Sequence, residues 1–200
     1  MKKVITLFVV VLCAIVSVSA QSAEQWLHKL NLSLGERYAM NLSVAVGEQS
    51  AMEGFCMVDG DGYYITLGVM EVYSDGKLRY EVNNERKEVV EDRVDLEACD
   101  LLSNPTRAFD FVPNEFVSEV TSATNERVTL KFTPKSDTMG ISSITLVLRV
   151  ADSRVEPVSI CYDYDGELVN IALSSVDSAG AKLRKWDKTA YRAYDIVSFL

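Results

Sequence analysis

Histidine is almost absent from this chain, which has one, His28, among its 200 residues. A metal site built on imidazole ligands needs several histidines, and a Ser-His-Asp triad needs one beside a nucleophile. His28 lies on a predicted surface helix beside Trp26, where a lone histidine is usually an ordinary solvated side chain. We therefore expect no catalytic residues, no metal, no cofactor and no enzymatic activity.

Cysteine is also scarce, with four residues in all. Cys13 falls in the apolar run near the start of the chain, which leaves Cys56, Cys99 and Cys161. An odd number allows at most one bridge within a chain, and the spacings match no zinc pattern. We expect these three to be small buried side chains, while their disulfide state stays open.

Positive charge is in deficit, because 20 Lys and Arg residues face 29 Asp and Glu residues and the formal net charge is −9. Nucleic acids and anionic lipid surfaces are poor partners for such a chain.

The first 20 residues have the pattern of a secretory signal peptide. Lys2 and Lys3 precede an apolar run from Val4 to Val16, and Val18-Ser-Ala20 supplies residues suited to cleavage before Gln21. The apolar run is too short to be a convincing membrane span. We expect residues 1–20 to be removed and residues 21–200 to form a single exported domain.

One amphipathic helix is predicted at the start of the mature chain. Ser22-Ala-Glu-Gln25 fits a capping box, apolar residues then recur at helical spacing, and Gly35 fits the end of the helix. From Arg37 the period becomes two, and short strands joined by turns indicate an antiparallel meander. The predicted strands are Arg37–Val46, Met52–Val58, Tyr63–Leu67, Val69–Tyr73, Leu78–Val82, Lys87–Val90, Phe116–Val120, Arg127–Phe132, Ser142–Val150, Pro157–Tyr164, Leu168–Leu173 and Tyr194–Leu200.

An insert interrupts the strands after Arg93. Asp95–Leu102 predicts a short helix that Pro105 ends, and residues 106–111 predict a second helical turn. The predicted fold class is mainly β (α+β): a curved, incomplete antiparallel β-barrel with an N-terminal helix and a short helical lid insert. Two short helices cannot fully cover so many strands, so either the sheet closes or a cavity lies behind the insert.

Carboxylates and tyrosines offer weaker functional signals. Asp59-Gly-Asp-Gly62 carries two carboxylates that suit calcium, but the rest of an EF-hand loop is missing and a hairpin turn is favoured. Tyr63, Tyr64, Tyr73 and Tyr80 on neighbouring strands invite a sugar-binding hypothesis. Packing is the favoured interpretation, since tyrosine is common in strands.

From Trp26 to Leu200 the chain resembles the outer-membrane lipoprotein carrier family, the LolA/LolB-like proteins, as a divergent branch. The matching segments keep the family's order: Ser74-Asp-Gly-Lys77 with Tyr80 and Glu88-Val89, Asn104-Pro105 before Ala108-Phe109, Val128–Pro134, Ile144–Val150, Pro157–Ile160 and Tyr191–Ile196. The resemblance implies a periplasmic protein that accepts lipoprotein acyl chains from an inner-membrane release complex and hands them to an outer-membrane acceptor. We also expect a monomer and, from the acidic charge of the chain, no nucleic acid partner.

One departure from the family concerns the lid. The better-known carriers have an Arg-Pro pair after the first hairpin, and its arginine helps to hold the lid shut. The corresponding stretch here is Val58-Asp-Gly-Asp-Gly62. The lid-closing contact is therefore absent or supplied elsewhere.

The predicted acyl-chain cavity is one face of the strands, and the predicted lid comes from the insert. The alternative is that these residues are ordinary core. The cavity residues are Met40, Leu42, Val44, Phe55, Met57, Ile65, Leu67, Val72, Leu78, Tyr80, Leu130, Phe132, Leu146 and Leu148, and the lid residues are Leu101, Leu102, Phe109 and Phe111.

Three functions follow as hypotheses. The first is a periplasmic carrier or chaperone for lipoprotein acyl chains. The second is a non-enzymatic envelope interaction module that keeps the fold but carries no lipid. The third is a hydrolase acting on lipid or glycan, which the single histidine and the scattered carboxylates disfavour.

Overall fold

The computed structural model describes residues 21–200 except 112, 137–139, 153 and 179–180. The predicted signal peptide lies outside these residues. The described residues form one α-helix, one short 3₁₀ helix and a single sheet. The elements are α1 Ala23–Leu34, β1 Arg37–Val46, β2 Met52–Asp59, β3 Gly62–Leu67, β4 Met70–Ser74, β5 Leu78–Asn83, β6 Glu88–Arg93, the 3₁₀ helix Pro105–Arg107, β7 Phe116–Ala123, β8 Arg127–Pro134, β9 Ser143–Ala151, β10 Arg154–Tyr164, β11 Glu167–Val176 and β12 Asp195–Ser198.

The strand order is β12-β6-β5-β4-β3-β2-β1-β11-β10-β9-β8-β7. Two meanders, β1 to β6 and β7 to β11, are joined where β1 pairs with β11. Neighbouring strands are antiparallel except at the edge, where β12 runs parallel to β6. The sheet does not close, because β12 and β7 form its two edges, and the predicted incomplete barrel is confirmed.

Helix α1 forms where its local signals predict it. The Ser22 hydroxyl accepts from the Gln25 amide, the Gln25 side chain accepts from the Ser22 amide, and Gly35 ends the helix at φ +66°. Leu27 and Leu30 are buried where the helix packs against β10 and β7.

The predicted helix over Asp95–Leu102 is wrong, since this segment consists of bends and turns. The Asp95 carboxylate accepts from the amide of Glu97, and the Asp100 carboxylate accepts from the amides of Leu102 and Ser103. Such side-chain bonds to nearby backbone compete with helix formation. Pro105 begins the 3₁₀ helix, a position that suits a residue without an N–H.

The sheet separates two apolar clusters. The inner face is the one covered by α1 and by the insert, residues 94–115. In the order of the sheet, its cluster extends from β4 to the edge strand β7. The outer face carries a smaller aromatic cluster over β2 to β6. It is covered by residues 181–194, which we call the strap and which lead into β12.

Candidate functional site

The inner face collects most of the residues predicted to form the acyl-chain cavity. A tenth, Leu67, is partly buried and packs against the inner cluster. Nine are buried within this cluster: Met40, Leu42, Val44, Ile65, Val72, Leu130, Phe132, Leu146 and Leu148. Of the predicted lid residues, Leu101, Phe109 and Phe111 are buried in the same cluster and Leu102 packs against it. Strands and insert thus meet in one continuous apolar region. Its binding of acyl chains stays a prediction.

The structure does not bring four of the predicted cavity residues to this face. On β2, Cys56 lies in the inner cluster, so its neighbours point outwards. On β5, Glu81 pairs with Val72 of the inner cluster, and Val82 belongs to the outer one. On β2 apolar side chains lie on both faces, so alternation alone could not choose between them. On β5 the apolar side chains all lie on one side, which is the outer face covered by the strap. The four residues are Phe55, Met57, Leu78 and Tyr80.

Three inner-face tyrosines hold the insert against the sheet. The Tyr38 hydroxyl donates to the carbonyl of Pro105 at 2.6 Å, and the Tyr63 hydroxyl donates to the carbonyl of Ser103 at 3.1 Å. The Tyr162 hydroxyl accepts from the amide of Leu101 at 2.9 Å. Burial raises the pKa of each tyrosine, so the three hydroxyls remain neutral near pH 7.

Arg79 makes a fourth contact with the insert. Its Nη2 donates to the carbonyl of Leu102 at 3.3 Å, and its Nη1 forms an ion pair with Glu81. Its Nε is buried and has no hydrogen-bond partner among the described residues. An arginine therefore does contact the lid, but from β5 rather than from the stretch after β2 where the family has its Arg-Pro pair. Sequence analysis missed this contact, because it placed Leu78 and Tyr80 rather than Arg79 on the inner face of β5.

Hydrogen bonds and an ion pair also connect residues within the insert. Asn104, 1% exposed, donates through its side chain to the carbonyl of Asp95 and accepts from the Thr106 hydroxyl. Arg107 donates to the carbonyl of Leu96 at 2.5 Å and pairs with Glu115 at 3.4 Å. These bonds tie both ends of the insert together.

Aromatic side chains of the insert pack against β1, β7 and β8. The ring of Phe111 lies 4.4 Å from that of Phe132 on β8 and 5.5 Å from that of Phe116 on β7, measured between centroids. Phe109 contacts Tyr38 at 6.3 Å. The insert therefore fills the inner face with its own apolar side chains.

On the outer face, Trp186 of the strap lies between two tyrosine rings. Its ring stacks on Tyr80 at 4.6 Å and on Tyr191 at 4.9 Å, both within 8° of parallel. The four tyrosines considered as a possible sugar-binding set lie on both faces: Tyr63 lies inside, and Tyr64, Tyr73 and Tyr80 pack under the strap. Packing was the favoured interpretation of these residues.

Glu71 is the polar centre of the strap contact. Its carboxylate accepts from Tyr73 at 2.5 Å, from Tyr64 at 3.0 Å and from the Asn84 amide at 2.8 Å, and Arg184 of the strap lies 3.9 Å away. Burial opposes its ionisation, but these hydrogen bonds and the Arg184 charge together hold the pKa of Glu71 below the ordinary glutamate value.

The three described cysteines are free. Cys56 and Cys99 are buried in the inner cluster, which confirms the predicted packing role for these two, and Cys161 is partly exposed. Burial raises the pKa of Cys56 to about 12 and that of Cys99 to about 11. Both thiols are therefore protonated and poorly nucleophilic near pH 7.

An open groove of about 1110 Å³ lies between the strap and the turns that follow β2 and β4. Its lining includes Leu183 and Trp186 with charged residues of both signs. Within the described ranges, no three or more His, Cys, Asp or Glu residues are placed to hold a metal ion. No helix in the same ranges is long and apolar enough to cross a membrane.

Comparison with known proteins bears on the fold. No family model matches the chain, and no curated protein matches it. An uncharacterised conserved protein from Thermus thermophilus has a similar structure, with a TM-score of 0.55 at 7% identity over 88% of this chain and 98% of that chain. The two chains therefore share a fold.

Two further similar structures have lower TM-scores. One is a LolA superfamily protein from Nitrosomonas europaea, with a TM-score of 0.41, 10% identity and coverage of 86% of this chain and 98% of that chain. The other, from Vibrio parahaemolyticus, is described as a putative outer membrane lipoprotein-sorting protein domain, with a TM-score of 0.42, 11% identity and coverage of 79% and 92%.

Proposed function

We propose that this protein is a periplasmic carrier that binds lipoprotein acyl chains on its inner face and ferries them towards the outer membrane. The observation that carries the proposal is an unclosed sheet whose apolar inner face is covered by one helix and a latched insert. The sequence resemblance supplies the cargo, the export and the transient partners, an inner-membrane release complex and an outer-membrane acceptor.

In this proposal, the bound acyl chain replaces side chains of the lid on the inner face. Leu101, Phe109 and Phe111 occupy the inner face, so an acyl chain has to take over their apolar contacts. Each methylene gains about 0.8 kcal/mol on burial. The four hydrogen bonds that hold the insert contribute roughly 0.5–1.5 kcal/mol each. About ten methylenes are therefore sufficient to offset these four hydrogen bonds. Further methylenes are needed for any apolar surface of the lid that becomes exposed.

The second candidate is a non-enzymatic interaction module on the same fold that carries no lipid. The observation that favours it is the closed packing of the inner face, where Met40, Leu130 and Leu148 are 0% exposed. This candidate predicts that the insert stays closed in the presence of acyl ligands.

Native mass spectrometry of residues 21–200 separates the two candidates. A synthetic dipalmitoyl lipopeptide is offered beside the same peptide without acyl chains. The carrier is expected to bind the acylated peptide in a one-to-one complex and to ignore the other. No complex with either, or equal binding of both, contradicts the carrier and favours the interaction module.

A lid substitution tests the site itself. Replacing Leu101 with Asp places a charge beside the apolar region that the acyl chain would occupy. Since an unpaired charge against hydrocarbon is costly, lipopeptide affinity is expected to weaken by about ten-fold or more. Leu102→Asp, at a half-buried lid position, is a second variant for the case in which Leu101→Asp does not fold. Leu32→Asp, at a helix position that is 72% exposed, is the matched control. Unchanged affinity in folded lid variants argues against this site.

A further inference from the structure

The free edge of the sheet at β12 carries large apolar side chains on both faces. Val197 lies on the inner side and Ile196 on the outer side, and they are 43% and 38% exposed. Phe199 and Leu200, which follow the strand, are 65% and 56% exposed. An exposed apolar edge strand is a template for pairing with another chain.

The opposite edge of the sheet, β7, differs from β12. A bulge between Val120 and Ser122 interrupts its pairing with β8, and Glu119 adds a charge to the strand. Bulges and charged side chains discourage pairing between sheet edges. The pairing of β12 with β6 has no such shift in register, and residues 196–200 include no charged side chain.

The backbone of β12 has hydrogen-bonding groups on its free side. The amides of Asp195 and Phe199 donate to carbonyl groups on or next to β6, both at 2.9 Å. Successive backbone groups of a strand point to alternate edges, so those of Ile196 and Ser198 point away from β6. Because β12 ends the sheet, no further strand of the described residues pairs with these groups.

The sequence of this edge is self-complementary when two copies pair antiparallel about Ser198. Ile196 then stands opposite Leu200 of the second copy on the outer side of the sheet. Val197 stands opposite Phe199 of the second copy on the inner side. The two Ser198 residues face each other, and their outward N–H and C=O groups form a hydrogen-bonded pair. Every large apolar side chain of the edge therefore meets an apolar partner.

A register centred on Val197 fits less well. It would set the Asp195 carboxylate opposite the ring of Phe199. Like these two residues, Val197 directs its backbone groups towards β6, so the centre of this register would lack a hydrogen-bonded pair.

We infer that two copies of this chain form a reversible dimer by antiparallel pairing of β12 about Ser198. A contact of this kind uses the same surface on both copies, so it closes after two and covers both apolar edges. It is short and lies at the small end of specific interfaces, so we expect a Kd of about 1–100 µM. The inference does not depend on the proposed carrier function, and it departs from the monomer expected from the sequence.

Sedimentation velocity of residues 21–200 at protein concentrations from about 1 to 300 µM tests the dimer. The unmodified protein is expected to change from monomer to dimer across this range. Ser198→Pro removes the central N–H of the interface, and an edge strand tolerates proline where the N–H faces solvent. Loss of this donor from both copies is expected to raise Kd by about ten-fold or more. Phe199→Lys, at a position that is 65% exposed, is a second variant for the case in which Ser198→Pro does not fold.

Val117→Lys is the matched control, because Val117 lies on the opposite edge strand β7 and is 59% exposed. Its Kd should equal that of the unmodified protein. A monomer at every concentration overturns the inference. A dimer that folded Ser198→Pro and Phe199→Lys leave unchanged also overturns it, as does an equal loss in the control.

Cysteine cross-linking with a short bismaleimide tests the register. Ser198→Cys is expected to give covalent dimers, because the two Cα atoms lie about 5.5 Å apart in a hydrogen-bonded pair. Asp195→Cys should cross-link little, since its two copies lie about 20 Å apart along the strands. The unmodified protein, in which Cys161 is partly exposed, gives the background. Equal cross-linking of the two variants overturns pairing about Ser198.

Discussion

Tyrosine at an inner-face position supplies two things at once, an apolar ring for the core and a hydroxyl for the insert. Tyr38, Tyr63 and Tyr162 come from β1, β3 and β10, so the insert is held at separate points of the sheet. A buried hydroxyl that finds a backbone partner contributes modestly, whereas the partner left alone is costly. The tyrosines therefore fix where the insert lies more than they add to overall stability.

Tyr162→Phe tests whether these hydrogen bonds hold the insert on the sheet. The substitution leaves the Leu101 amide buried without its acceptor and is expected to lower the free energy of unfolding by about 1–3 kcal/mol. Urea denaturation measures the change, and hydrogen exchange at the Leu101 amide should accelerate. Tyr164→Phe, at a half-buried neighbour, should change stability by less than about 0.5 kcal/mol. If both substitutions lower the free energy of unfolding equally, the hydrogen bond between Tyr162 and Leu101 does not specifically hold the insert.

At the scale of the elements, local signals predicted some segments well and others poorly. The Ser22 capping box and Gly35 fixed α1 because each acts within a few residues of itself. The insert was mispredicted because Asp95 and Asp100 bond to their own following backbone, which periodicity does not register. The face of β5 was mispredicted because the strap that covers Tyr80 lies more than 100 residues further along the chain.

The strap contact predicts a pH dependence centred on Glu71. Since its folded pKa lies below the unfolded value of about 4.3, its contribution to stability is present at neutral pH and is lost as pH falls through the folded pKa. Glu71→Gln should therefore be less stable than the unmodified protein at pH 7, and the difference should shrink on acidification below about pH 4. Thermal unfolding between pH 7 and pH 3 measures this. Glu85→Gln, at an exposed turn position, is the control, and a constant difference at every pH would contradict the assignment.

For the whole molecule, the two tryptophans lie on opposite sides of the sheet. Trp26 packs against the inner cluster through α1, and Trp186 belongs to the outer cluster through the strap. Both clusters share strands β2 to β4, so we expect the two sides to lose structure together. The predicted single domain from residue 21 to residue 200 stays a prediction until this is measured.

Single-tryptophan variants provide that measurement. Trp186→Phe leaves Trp26 to report on the inner side, and Trp26→Phe leaves Trp186 to report on the strap. Urea transitions followed by fluorescence should share one midpoint with the circular dichroism signal within each variant. If the Trp186 signal changes at lower urea than circular dichroism, the strap unfolds as a separate unit.

The pairing of β1 with β11, which joins the two meanders, has a consequence for the newly synthesised chain. Ala39 and Val176 are partners separated by 137 positions, so one edge of β1 stays unpaired until nearly the whole chain has been made. An open, largely apolar strand edge is a template for pairing with other chains. Distant pairing of this kind also slows folding. The newly made polypeptide therefore passes through a long, aggregation-prone interval, during which a general chaperone that shields the β1 edge would raise the yield of native protein.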